Sequence, residues 1–188
     1  EPLEAEAALV RRLADLCAGG GSTALRLTLT SFVLAARLEE VAAVASGRLL
    51  RMTQGRYSLV HTDGAVKGGA RSGLGLLARD SWTGQDRETS TLSGGETFLA
   101  SLALALGLAD VVQAESGGTR IEALFVDEGF GTLDEDTLDE VMDVLDGLRE
   151  GGRLVGLVSH VAELRARIPA QVRVTKTRTG SDLQLVGC

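Results

Sequence analysis

The chain has 188 residues, 44% of them apolar, with 26 acidic against 19 basic side chains and a net charge of −7. That length and apolar content suit one domain with a real core and exclude a disordered chain. The negative balance speaks against a broad nucleic-acid footprint on this piece alone.

Residues 2–17 are charged and rich in Ala and Leu, a helical pattern closed by Gly19-Gly20-Gly21. Cys17 at its end and Cys188 at the far end of the chain have no ligand-like neighbours and read as free thiols of a reducing compartment. A second helix is predicted over 32–52, where Leu34, Leu38, Val41, Ala45, Leu49 and Met52 step by three or four and form one stripe. Both helices suit the base of a longer coiled coil as well as an ordinary amphipathic packing. Strands are predicted at 57–60 and 74–78, separated by the Gly-rich stretch HTDGAVKGGARSG. WTGQDRETSTLSGGE reads as a loop, leading into a helix over 95–114 that is apolar nearly all round and so is expected to be buried.

Ser116-Gly117-Gly118 breaks that helix. IEALFVDEG is a strand whose continuous apolar centre, 123–126, predicts burial on both faces, as in a parallel sheet. Asp134 caps a helix running to about Arg149, and RLVGLVSH is a second buried strand ending in His160. A short helix over 161–166 stops before Pro169, and the tail alternates in period two about Thr-Gly-Ser-Asp, a hairpin pattern. The strand–helix–strand second half predicts an α/β fold with an antiparallel part made by the early strands and the tail. No apolar run both reaches membrane length and lacks charge, no secretion signal is present, and the first residue is Glu1. The chain therefore reads as a cytoplasmic fragment without a membrane partner.

Four short elements bear chemistry. Leu92-Ser93-Gly94-Gly95-Glu96 opens the 95–114 helix. Ser is a good cap, but two glycines directly after it weaken the first turn by roughly 1 kcal/mol each relative to Ala. Glycine lets a ligand approach the backbone and a helix N-terminus attracts anions, although a ligand-free helix start has the same pattern. Asp127-Glu128 ends a buried strand, where ligands bind in open α/β sheets. An Asp there can hold Mg²⁺ through water and a neighbouring Glu can polarise a water for attack on phosphorus; alone, the pair reads equally as an acidic turn. Gly131-Thr132-Leu133-Asp134 follows, with Glu135, Asp136, Asp139 and Glu140 suited to the first turns of a helix. Ser159-His160 ends the next strand, where a His can touch a phosphate, orient a water or play a structural part.

In that order, LSGGE, ALFVDE, GTLD and SH resemble the C-terminal half of an ABC-type ATPase, as signature motif, Walker B strand, D-loop and H-loop. The stretches SFVLAARLEEVAAVASGRLLRMTQGRYSLV and VDEGFGTLDEDTLDEVMDVLDGL are similar to the SbcC family, the SMC-like DNA-repair ATPases of bacteria. Gly129-Phe130-Gly131, where transporter ATPases commonly have a Pro, fits that branch. The resemblance implies the C-terminal lobe of an ABC-type head, a mostly parallel sheet with flanking helices plus an antiparallel hairpin. Residues 1–21 would be the foot of a coiled coil or an N-terminal helix, and 22–188 the lobe. It implies ATP and Mg²⁺, with Ser93, Gly94, Gly95 and Glu96 on the nucleotide and Asp127 on the metal. Glu128 would be the general base, His160 a contact to the γ-phosphate or attacking water, and Asp134 a link across a head dimer. The implied partners are the chain's own N-terminal lobe, a second head, the SbcD nuclease, and DNA through the assembled complex.

The only lysines, Lys67 and Lys176, do not fit G-x-x-x-x-G-K-[ST], so this stretch lacks the Walker A phosphate cradle. The lobe is expected to be inactive until the Walker A lobe is added. RecN, RecF or transporter heads are the neighbouring readings, and a non-catalytic dimerisation or nuclease-docking module is the reading from another class.

Overall fold

Residues 2–20, 27–62, 73–117 and 121–187 are described by a computed structural model of the chain. Most of the Gly-rich stretch between the first two strands, Lys67 included, lies outside the described residues.

Helix α1 spans Pro2–Cys17, as its pattern predicts. Its apolar side chains Leu9, Val10, Leu13 and Leu16 stay exposed. Helix α2 spans Leu29–Met52 and starts ahead of the predicted 32, because Thr28 caps it by accepting the Ser31 N–H at 3.1 Å. Of the stripe, Val41, Ala45, Leu49 and Met52 are buried, whereas Leu34 near the free end is exposed.

Strands β1 (Tyr57–Thr62), β2 (Gly75–Asp80) and β3 (Gln85–Glu88) form an antiparallel sheet in that order. β3 occupies part of the expected loop. Its four polar residues carry no period-two apolar signal, and it forms by pairing with β2, Leu77 opposite Glu88, reinforced by Arg79 donating to both Asp86 oxygens at 2.7 and 3.0 Å.

Helix α3 spans Gly94–Glu115 and meets α2 so closely that a Cβ on Gly107 would stand 2.9 Å from the Ala45 Cβ. It is buried on one side, through Leu99, Ala103, Leu106 and Val111, but Leu108 and Val112 are exposed, against the expectation of all-round burial. Among the described residues no element covers that second face. Among the described helices α3 alone is long and apolar enough to cross a membrane by length and composition. Its inner face instead joins Ala45, Leu49, Phe130, Leu138, Val141 and Leu145 in the core.

Strand β4 (Ala123–Asp127), helix α4 (Glu135–Glu150) and strand β5 (Leu154–Val158) make the expected strand–helix–strand unit, with β4 and β5 parallel. The expected burial on both faces is not found: Phe125 is 71% exposed, Leu154 64% and Val158 53%. The pair has no further strand beside it among the described residues. After α5 (Ala162–Arg167), β6 (Gln171–Thr177) and β7 (Gly180–Val186) close the chain as an antiparallel hairpin. Its turn falls at Arg178-Thr179, ahead of the expected Thr-Gly-Ser-Asp centre, with Thr177 opposite Gly180. The α/β class holds, with one parallel pair and two antiparallel groups.

Candidate functional site

β4 and β5 end side by side, with Asp127 opposite Val158. The Glu128 N–H donates to the Val158 carbonyl at 2.9 Å, so the ladder runs one residue past the strand. Glu128 then adopts φ +62° and Gly129 φ +99°. The left-handed conformation costs a side-chain-bearing residue roughly 1–2 kcal/mol and persists only where the surroundings impose it. Packing at Gly129 imposes it: a Cβ there would lie 2.2 Å from Phe98 Cδ2, and Phe98 packs edge-on against buried Phe130 at 5.1 Å between centroids. The turn delivers the Glu128 carboxylate to His160, whose Nδ1–H donates to Glu128 Oε2 at 3.1 Å. Ser159 aims His160 by accepting the Val161 N–H at 3.1 Å. Both side chains of the pair are exposed, and Asp127 is exposed at the strand end beside them.

The second group forms at the start of α3. Ser93 Oγ accepts the Glu96 N–H at 3.2 Å, and Glu96 Oε2 accepts the Ser93 N–H at 2.8 Å, a reciprocal capping box. Of the orphan donors at this helix end, those of Gly94 and Gly95 have no hydrogen-bond partner among the described residues. Gly95 also has a packing reason, because a Cβ there would stand 3.2 Å from the Thr132 carbonyl oxygen. At Gly94 the nearest atom to such a Cβ is 3.8 Å away, so packing there leaves room for a side chain. Glu96 spends both carboxylate oxygens inside the chain, the other accepting from the Tyr57 hydroxyl at 2.8 Å. These two bonds tie the helix start to Tyr57.

The 3₁₀ turn Phe130–Thr132 is shared by both groups. Gly131 lies against the His160 ring, and Thr132 against Gly94 and Gly95. Asp134 then caps α4 by accepting the Thr137 N–H at 2.8 Å, a bond that holds its carboxyl below the usual range. Asp134 thus borders the α3 start: a cavity of about 390 Å³ runs between Arg56, Trp82, Ser93, Gly95, Thr132 and Asp134. No hydrogen bond joins the Ser93 group to the Glu128–His160 pair among the described residues.

Sequence reading missed the polar residues behind the helix start, Arg56, Tyr57, Asp80, Trp82 and Arg87. The available signal was the single Tyr and single Trp, each beside charged residues in QGRYS and ARDSW. Burial pushes the Glu96 carboxyl up, but bonds from Ser93 and Tyr57 and the charge of Arg56 outweigh it and leave it below the ordinary range. The Arg56 hydrogen bond, against the effect of burial, lowers the Asp80 carboxyl in the same sense. Both groups bind fewer protons when folded than when unfolded. Their contribution is complete above the ordinary carboxylate pKa, near about pH 4, and is lost as pH falls through the lower folded values. Thermal unfolding followed from neutral to strongly acidic pH is expected to show a midpoint that drops below about pH 4.5. A flat midpoint would remove any net contribution from this network. The single tyrosine, pushed up to about 12 first by burial and then by Glu96, is expected to ionise late in an alkaline absorbance titration.

The family description "SbcC/RAD50-like, Walker B motif" matches residues 76–147, which include the start of α3, the β4 end with Glu128, and Asp134. Over 184 residues the chain is 47% identical to the SbcC component of the SbcCD nuclease of Vibrio cholerae, covering 98% of this chain and 18% of that protein. The protein of the same name from Treponema pallidum is 48% identical over 156 residues, covering 83% of this chain and 15% of its own length. The chain belongs to the SbcC family and carries the region that the Walker B description matches.

The fold agrees. A structure described under ATP-driven dimerization and DNA-stimulated activation of SMC ATPases superposes with a TM-score of 0.62 at 15% identity, covering 83% of this chain and 89% of that one. The SMC head domain from Thermotoga maritima gives 0.53 at 16% identity, covering 94% and 60%. The chain spans less than a fifth of the length of these SbcC relatives. Among the described residues no three metal-ligating side chains gather, and Asp127 offers a single carboxylate, a donor of the hard-oxygen kind that Mg²⁺ takes.

Proposed function

We propose that this chain is the C-terminal lobe of an ATPase head that works in pairs, giving each composite ATP site one face. The observation that supports this most is the Glu128–His160 contact at the ends of the two parallel strands, held by a left-handed Glu128-Gly129 turn. Glu128 accepts the proton of a water attacking the γ-phosphorus, while the bond from that phosphorus to the ADP oxygen breaks. His160 holds the Glu128 carboxylate and the attacking water in place. Asp127 would hold Mg²⁺, and the ion would neutralise phosphate charge when bound.

Ser93 and the free N–H groups of Gly94 and Gly95 serve ATP held by the other head. Their separation from Glu128 by the Phe130–Thr132 turn supports that division, and Asp134, capping α4 at the same cavity, links the two sites across the dimer. The lobe that bears the Walker A loop sits on the uncovered apolar face of Phe125, Leu154 and Val158. In the cell the assembled head pair drives the SbcD nuclease on DNA, and DNA is gripped by the complex rather than by this acidic lobe. The setting is cytoplasmic.

The test is Mg-ATP hydrolysis by this chain alone and mixed with its N-terminal lobe. No turnover alone, with turnover on mixing that Ser93→Arg abolishes, is the expected result. Turnover by the chain alone would overturn the missing phosphate cradle. Silence after proven association of the lobes would favour the non-catalytic module.

A further inference from the structure

Behind the α3 start lies a polar cluster that the proposed chemistry does not use. Asp80, at the end of β2, is the one buried charged side chain among the described residues. Its Oδ2 accepts from Arg56 Nη2 at 3.1 Å, with Arg87 Nη1 at 3.9 Å, and its Oδ1 accepts the Trp82 N–H at 2.9 Å. The Arg56 guanidinium lies 4.5 Å from the Tyr57 ring centroid and 4.3 Å from that of Trp82. Its Nη1 is 3.6 Å from Glu96 Oε1, the oxygen that also accepts from the Tyr57 hydroxyl. Arg87 donates to the Tyr57 oxygen at 3.2 Å and to the Thr91 carbonyl at 2.7 Å. The residues on both sides of Ser93, Thr91 before it and Glu96 after it, are therefore tied through two arginines to one buried carboxylate.

We propose that Arg56 is a positioning residue: it couples Asp80 to Glu96 and so sets the direction in which Ser93 and the Gly94 and Gly95 N–H groups face a phosphate. This rests on the reading of Ser93 given above. Only arginine suits the place. A planar fork can reach two carboxylates from between two aromatic rings, whereas a lysine ammonium reaches one as a point charge. The Arg56 Nε is buried with no hydrogen-bond partner among the described residues, so the guanidinium is held through its two terminal nitrogens and the flanking rings. The capping box alone fixes the first turn of α3 relative to itself; the arginine fixes that turn relative to the sheet.

The test uses the full-length protein, so that both lobes and both heads are present. Removing Arg56 alone strands a buried charge, so Arg56→Met is combined with Asp80→Asn, and Tyr57→Phe is made separately. Tyr57→Phe loses one oxygen and keeps the ring, so it leaves the packing in place. The double variant is expected to melt near the wild-type temperature yet to need about tenfold more ATP for half-maximal turnover, the scale of one lost charged hydrogen bond. Turnover at saturating ATP stays within about twofold, because the loss is one of uniform binding. Sedimentation with a non-hydrolysable ATP analogue should show head pairing weakened in proportion. Tyr57→Phe should shift both readouts the same way by a smaller factor, and Arg56→Lys combined with wild-type Asp80 should recover only part of the loss. Wild-type ATP response and pairing in Tyr57→Phe would overturn the proposal even if the double variant failed to fold, and so would a well-folded double variant with normal pairing. Ser93→Arg runs alongside. If it too leaves pairing intact, the reading of Ser93 falls first; if it abolishes pairing while the network variants do not, only the role of Arg56 falls.

Discussion

Glu128→Gln is expected to slow ATP turnover by about 10²- to 10⁴-fold in the protein with both lobes, the range that a positioned general base supplies. The amide keeps the size and the hydrogen-bond reach of the carboxylate, so the left-handed turn at φ +62° and the contact with His160 at 3.1 Å have no steric reason to change. What disappears is the basicity of the carboxylate: the amide oxygen still accepts a hydrogen bond but cannot take a proton from water. ATP binding draws on other groups, Ser93 and the glycine N–H groups among them, so head dimers should accumulate in ATP instead of dissociating. Size-exclusion chromatography with light scattering in the presence of Mg-ATP checks that outcome. Equal turnover by variant and wild type would reassign Glu128 to an acidic turn.

Gly129→Ala is expected to destabilise the fold by about 3 kcal/mol, the sum of an overpacking cost and a left-handed backbone held by a residue with a Cβ. The added carbon would meet Phe98 at 2.2 and 2.3 Å, on ring atoms that cannot swing clear without losing the edge contact with Phe130. Phe130 is 1% exposed and sits in the main core, so the strain reaches Leu138 and Val141 rather than dissipating at the surface. If the turn yields instead, Glu128 leaves His160 and activity falls with little change in melting. Denaturant unfolding and turnover measured together distinguish the two, and a variant normal in both would show that this turn is not tightly packed in solution.

Much of the candidate site could be read in order along the chain. Ser93, Asp134 and the strand-end acids are local signals: capping depends on side chains within three residues, and a strand followed by a turn places its last residues at the sheet edge. Both caps form as their residues imply, Ser93 with Glu96 and Asp134 with Thr137. The failures are those of composition used as a substitute for neighbours. Phe125, Leu154 and Val158 are as apolar as any buried strand, yet they face out because burial depends on what lies opposite. The same holds for Leu108 and Val112 on α3.

Local order was therefore written in the chain: helix starts, strand ends, the α/β alternation and the series of motifs. Each of these is settled by interactions spanning a few residues. Three things came only with folding. Glu128 and His160, 32 residues apart, meet because β4 and β5 pair in parallel with Asp127 opposite Val158. Gly129 is needed because Phe98, far earlier in the chain, arrives from α3. Arg56, Asp80 and Glu96 form one network because the β1–β2 hairpin backs onto the start of α3. These are long-range contacts between residues whose local pattern is ordinary, and no short window of sequence contains both partners.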